Sequence, residues 1–278
     1  MKKTKCKIAL GVFLGLTSLL LIVLMFPSVR SMAVMKVFSY YEYQHSVIHE
    51  EGLSISIPGG KNTEEKDWYP FVMTYNGDQG FSRFVNEDMR LTILYNFGHF
   101  PLLQTHSNFY DPDSPYYTSF YGGYGVRRVS GKVFGFEKGK LLLEELVQVL
   151  EFDLTRLVLR DLGKENPHFV YEVISIEEVL LFDEKGWYRV DGNIETNGVN
   201  HQYQENRRNY IQYGKPPNSG TDKEDFPIIE MNGRMYVKYD ADKELTLAFF
   251  CLSREIEVIE DWEDNILRQT EITKSSND

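Results

Sequence analysis

The first pattern along the chain is a block without alternation: nineteen uncharged, mostly apolar residues, Ile8 to Phe26, preceded by Lys2, Lys3, Lys5 and Lys7. A helix of about 18 apolar residues is long enough to cross a hydrocarbon core of roughly 30 Å, and it satisfies every backbone polar group internally. The block therefore predicts a transmembrane helix. Basic residues resist translocation, and only Arg30 and Lys36 follow the block closely, so the N-terminus is expected inside and the bulk of the chain outside. The competing reading is a cleaved signal, with Ser31-Met32-Ala33 supplying small residues at the −3 and −1 positions and release near Ala33. The length of the block, beyond the roughly 7 to 15 residues of a signal core, favours the retained anchor.

Beyond it the periods change. Leu53, Ile55 and Ile57 alternate with serines, and Pro58-Gly59-Gly60 ends the run. Further strands are expected over 69–75, 90–97, 169–176, 178–182, 187–194, 209–213, 226–231, 235–239 and 245–252, with a short helical turn within 80–89. Residues 124–136 read as a hairpin turning at Ser130-Gly131-Lys132, and Asn232-Gly233 and Asp240 to Glu244 read as turns joining the last three strands into a meander. One stretch has helical period: from Lys140 to Leu162 the residues Leu143, Leu146, Val147, Leu150, Leu154, Leu157 and Val158 share a face, with Phe152 and Leu159 opposite. Strands, one long helix and more strands imply an α+β fold with a largely antiparallel sheet. The expected divisions are a cytoplasmic basic tail (1–7), a transmembrane signal anchor (8–26), a juxtamembrane stalk (27–51), an extracytoplasmic α+β domain (52–272) and a disordered tail (273–278). Tyr40, Tyr41 and Tyr43 on the stalk suit a membrane interface.

Charge sharpens the picture. After residue 36 the chain holds 24 Lys and Arg against 41 Asp and Glu, a formal charge of −17. Such a surface repels nucleic acid and anionic head groups, so no nucleic-acid partner is expected. Cys6 and Cys251 fall on opposite sides of the block, which excludes an intramolecular disulfide framework, and Cys251 in an apolar run reads as a buried hydrophobe. The chain has no Asn-x-Ser/Thr sequon, in keeping with a bacterial envelope.

Candidate chemistry is sparse. Between Phe109 and Tyr124 there are seven aromatic residues among prolines and glycines, so Tyr110, Tyr116, Tyr117, Tyr121 and Tyr124 form a candidate contact surface, set against the alternative that they pack on a sheet. His99, His106, Asp111 and Asp113 are groups that bind metals or exchange protons, although their spacing matches no familiar signature. His45 and His49 would lie one turn apart on a helix and form a second candidate metal pair. Gly122-Gly123-Tyr124-Gly125 lacks the remaining residues of a nucleotide fingerprint and reads as a strand entry, and no cofactor is expected. These features point to a membrane-tethered extracytoplasmic protein, a non-catalytic binding or accessory module of a bacterial cell envelope. Its partners would be the bilayer, through residues 8–26, and an envelope component or another protein. The alternative is an exported hydrolase, with or without a metal, using His99, His106, Asp111 and Asp113.

Overall fold

The structure, a computed structural model, describes residues 2–25, 27–57, 70–77, 80–96, 116–117, 119–159, 165–198 and 227–274. Helix α1 covers Lys2–Met25 and α2 covers Pro27–Gln44, with Pro27 at the first helical position, where its missing amide breaks no intrahelical bond. The α1 side chains described between 7 and 22 are all exposed. Counted over the described residues alone, no helix is long and apolar enough to cross a membrane.

The chain is a mixed α+β fold built on an antiparallel sheet of seven strands. In sequence these are β2 (Pro70–Asn76), β3 (Met89–Asn96), β4 (Phe120–Arg128), β7 (Phe169–Leu181), β8 (Glu184–Thr196), β9 (Ile229–Asp240) and β10 (Leu245–Ser253). Their spatial order is β2-β3-β4-β10-β9-β8-β7, so two meanders meet where β4 pairs with β10. Short strands β1 (Leu53–Ser56) and β11 (Glu271–Lys274) form one small ribbon, and β5 (Phe136–Glu137) and β6 (Lys140–Leu141) another.

Both faces of the sheet are covered, which explains why strands such as LTLAFFCLS are apolar at nearly every position: all nine residues of β10 are buried. On one face lie α4 (Phe81–Val85), α5 (Leu143–Glu151) and the π-helical segment Phe152–Val158 that continues α5. Their core includes Phe81, Leu91, Ile93, Leu150, Phe152, Val190 and Phe250. On the other face lie α3 (Val47–Glu50), the β1–β11 ribbon and α6 (Ile256–Asn265), over a core that includes Ile48, Trp187, Phe249, Cys251, Ile259 and Trp262.

Several expectations are corrected. The stretch expected to be a stalk is part of the fold from Ser39 onward: α2 lies along β2, and Val47 and Ile48 are fully buried. Residues 124–136 form no hairpin. Gly131 takes the positive φ of a turn, but the chain runs on to Phe134 and Phe136 in the core, and β4 pairs with β3 and β10 instead. Asn232-Gly233 is no turn either, because both residues lie inside continuous β9, with Gly233 opposite Gly192 of β8. A Cβ on Gly233 would sit 2.9 Å from Ile194 Cδ1, so this glycine answers to close packing. The two strands expected over 169–182 are one strand with register shifts, closed by a two-residue turn in which Phe182 and Asp183 both have positive φ, the geometry that matches strand twist. The helix expected from Lys140 begins at Leu143, after the β6 residues. The expected strand at 209–213 lies outside the described residues.

Candidate functional site

The π segment is where the helical pattern and the buried surface part company. In an α-helix four consecutive residues cannot all face one sheet, yet Phe152, Asp153, Leu154 and Thr155 are all buried. Their side chains fan around most of the helix, so the segment is covered on more than one side, with Leu154 against Gly198 beyond the end of β8; π turns occur disproportionately at functional positions. The hydroxyl of Thr155 bonds back to the carbonyl of Glu151 at 2.6 Å.

The turn delivers Asp153, with no exposed surface, onto the aromatic side of β3 and β4. The Tyr95 hydroxyl donates to its Oδ1 at 2.6 Å and the Tyr124 hydroxyl to its Oδ2 at 2.8 Å. Ile93 is the strand partner of Tyr124 and Gly122 that of Tyr95, so the two tyrosines stand diagonally on one face. Gly122 must lack a side chain: a Cβ there would lie 2.1 Å from the Leu94 carbonyl oxygen. The Tyr124 ring stacks on Phe250 at 4.7 Å between centroids and 16° between planes, closing the site with hydrocarbon. Burial pushes the Asp153 carboxyl up to about 7, against the lowering effect of the two phenols. Burial and the neighbouring carboxylate hold both tyrosines well above their ordinary range, so they remain donors. The arrangement can carry a proton near neutral pH and fasten the helix to the sheet.

Arg128, at the end of β4, binds α5 to the sheet from the other side. It pairs with Glu87 at 2.8 Å and Glu145 at 2.7 Å and donates to the Val133 carbonyl, while Glu145 also accepts from the Gly135 amide at 2.6 Å. Arg127 and Arg90 bind Glu50, and Arg127 also binds Glu51. On that same face, opposite to Asp153, Arg234 joins Asp191 (2.7 Å) and Glu263 (2.6 Å) beside Arg189. A cavity of about 500 Å³ opens there, lined by Leu181, Arg189, Tyr236, Glu263 and Arg268 among others.

Of the residues singled out in the sequence, His99, His106, Tyr110, Asp111 and Asp113 lie outside the described residues. Tyr116, Tyr121 and Tyr124 are buried, with Tyr116 donating to Asp261 at 2.5 Å, and Tyr117 is half-buried, so three of these rings present no free face to a ligand. His45 and His49 do not share a helix, because Ser46 between them is extended and caps α3. His45 Nδ1 contacts the Tyr41 carbonyl at 2.8 Å, and His49 meets the Tyr43 ring edge-on at 5.2 Å. Among the described residues no group of three or more His, Cys, Asp and Glu is placed to hold a metal. Cys251 is fully buried and its thiol is pushed well up by that burial. Asp153 and Arg234 were not singled out. The available signal for Asp153 was a carboxylate set between Phe152 and Leu154 in the helical stretch LVQVLEFDLTRLVL. The fold and this site define an α+β sheet protein with a buried aspartate latch. Set against protein-family models, curated proteins and solved structures, the chain matches none.

Proposed function

We propose that this is a single-pass membrane protein, N-terminus inside, whose sheet domain works outside the cytoplasm as a non-catalytic binding or accessory module of a bacterial cell envelope. The observation that carries the reading is the nature of α1. Ile8, Val12, Phe13, Leu14, Leu16, Leu19, Leu20 and Leu21 are each more than half exposed, and the runs 12–14 and 19–21 together spread over more than half of the helix circumference. A helix with so broad an apolar surface belongs in a protein core or a bilayer, and among the described residues nothing buries the side chains of 7–22. The four lysines before it, against only Arg30 and Lys36 closely after it, support the orientation.

The test is membrane fractionation with an alkaline carbonate wash, with protease added to intact cells and the mass of the mature chain measured. The expected result is a carbonate-resistant chain retaining Ile8 to Phe26, digested from outside. Extraction by carbonate would overturn the anchor. A mature chain beginning at Val34 would replace it with secretion.

A further inference from the structure

The two edges of the large sheet are treated differently. Along β2, α2 supplies acceptors to the outward amides: Ser39 Oγ takes the Val72 N–H at 3.2 Å and Glu42 Oε2 takes the Thr74 N–H at 2.9 Å. Thr74 Oγ1 donates to the Glu42 carbonyl and Asn76 Nδ2 to the His45 carbonyl, so this edge is occupied. At the other edge β7, thirteen residues long, is the last strand, and among the described residues nothing pairs with its outer side.

β7 also lacks the usual protection. Its sequence FVYEVISIEEVLL contains no Lys, Arg or Pro, the residues that ordinarily discourage pairing at an edge. Val170, Val173, Ile174, Ile176 and Leu180 are 42% to 64% exposed. The register shift between Val173 and Ser175 leaves Ile174 as an extra residue of β7, whereas that between Val179 and Leu181 sets Leu180 against two residues of β8, Lys185 and Gly186; Ile174 and Leu180 are the most exposed apolar side chains of the strand. The β7 bulge at Ile174 displays hydrocarbon where a protective bulge would display charge. The only charges on the strand are Glu172, Glu177 and Glu178.

We propose that the outer edge of β7 takes up an extended segment of a partner protein as an eighth strand, a segment in which apolar residues alternate with Lys or Arg. This names the partner of the binding module above and rests on that reading. The apolar side chains select hydrocarbon, Glu172 and Glu178 select cations while Glu177 already pairs with Arg189 at 3.2 Å, and the outward main-chain groups, unpaired among the described residues, select extended backbone. A second copy fits poorly. Antiparallel self-pairing about Ser175 sets Glu172 against Glu178 on both sides, between two chains that each carry −17 beyond residue 36.

The full chain in phosphatidylcholine nanodiscs would be titrated with a labelled peptide of alternating Val and Lys, with the Val–Glu peptide of equal length, and with the Val–Lys peptide carrying central prolines. Hydrogen exchange would be followed over 169–181. The expected result is binding of the Val–Lys peptide at least about tenfold tighter than either control, with slowed exchange confined to β7. The variant Ile174→Lys/Ile176→Lys should lose that margin at an unchanged melting temperature. If it melts early, Ile176→Thr replaces it under the same criterion. Equal binding of all three peptides, unchanged exchange in β7, protection already complete in the peptide-free monomer, or a concentration-dependent dimer through β7 would each overturn the proposal. The anchor is tested separately by fractionation, so the two can fail independently.

Discussion

Replacing Asp153 by Asn removes a titrating group from the centre of the molecule while keeping its shape, and the consequence can be worked out as a function of pH. Burial raises the Asp153 carboxyl from its ordinary 3.8 to about 7 in the folded chain. Between those values the folded protein holds a proton that the unfolded chain has released. Stability from this group is therefore fully present below about pH 4, falls as the pH rises, and is lowest above about 7. At about 1.4 kcal/mol per unit, the loss across the whole interval is about 4 kcal/mol, of which about 2 to 3 falls between pH 5 and 7. The Asn side chain titrates nowhere in this range. Its amide oxygen accepts from one tyrosine hydroxyl, and its NH₂ donates to the other. Urea unfolding of both full-length chains in detergent, followed by tryptophan fluorescence at several pH values, should show the Asn variant gaining on the native protein by about 1.4 kcal/mol per pH unit from 5 to 7, then holding level. Parallel curves would refute the reasoning, because they would mean that Asp153 is ionised in the folded state throughout.

Three further outcomes follow from the packing. Asp153→Ala leaves the Tyr95 and Tyr124 hydroxyls buried without their acceptor and should cost about 2 to 6 kcal/mol in the same unfolding assay, unlike the Asn variant. Gly125→Ala would place a Cβ 2.8 Å from Ile48 Cγ1, so about 1 to 3 kcal/mol of overpacking is expected, and Ile48→Ala in the same chain should recover part of it in a double-mutant cycle. Ser39→Ala with Glu42→Ala removes the acceptors for the Val72 and Thr74 amides, about 0.5 to 1.5 kcal/mol each, and should speed hydrogen exchange in β2 while leaving β7 unchanged.

Where one face of an element sets its period, the sequence could be read directly. Leu53 is buried and Ile55 partly so, as the alternation with serine requires, and the run Leu245 to Leu252 is a strand buried on both faces. The apolar stripe through Leu146 and Leu150 located α5 for the same reason. The reading failed where a residue type serves two physical purposes. Glycine marks turns, but Gly122, Gly125, Gly192 and Gly233 lie in strands because a neighbour occupies the space of a Cβ. Asn232-Gly233 therefore imitates a hairpin turn that the β8–β9 register excludes. The burial of Asp153 was hidden because a helical period marks one covered face, whereas Leu150, Phe152, Asp153 and Leu154 are all buried, with the segment enclosed on more than one side. The tyrosine-rich stretch looks like a contact surface by composition, whereas Tyr121 and Tyr124 point to opposite cores of the sheet because they are an odd number of residues apart on one strand.

The meeting of the two meanders at β4 and β10 bears on how the chain finds its fold. Every other pairing in the large sheet joins strands that follow one another in sequence, whereas Phe120–Val126 must find Thr246–Leu252 across everything between them. Each meander can assemble from local contacts, and the entropy of closing the long intervening chain falls on this single seam. The stretch that carries α5 and the π turn leaves β4 just before that closure, and its buried aspartate grips Tyr95 and Tyr124 of the first meander. The helix is thus attached to one half of the sheet through residues near in sequence, and the second half is left to dock as a unit against a surface already built.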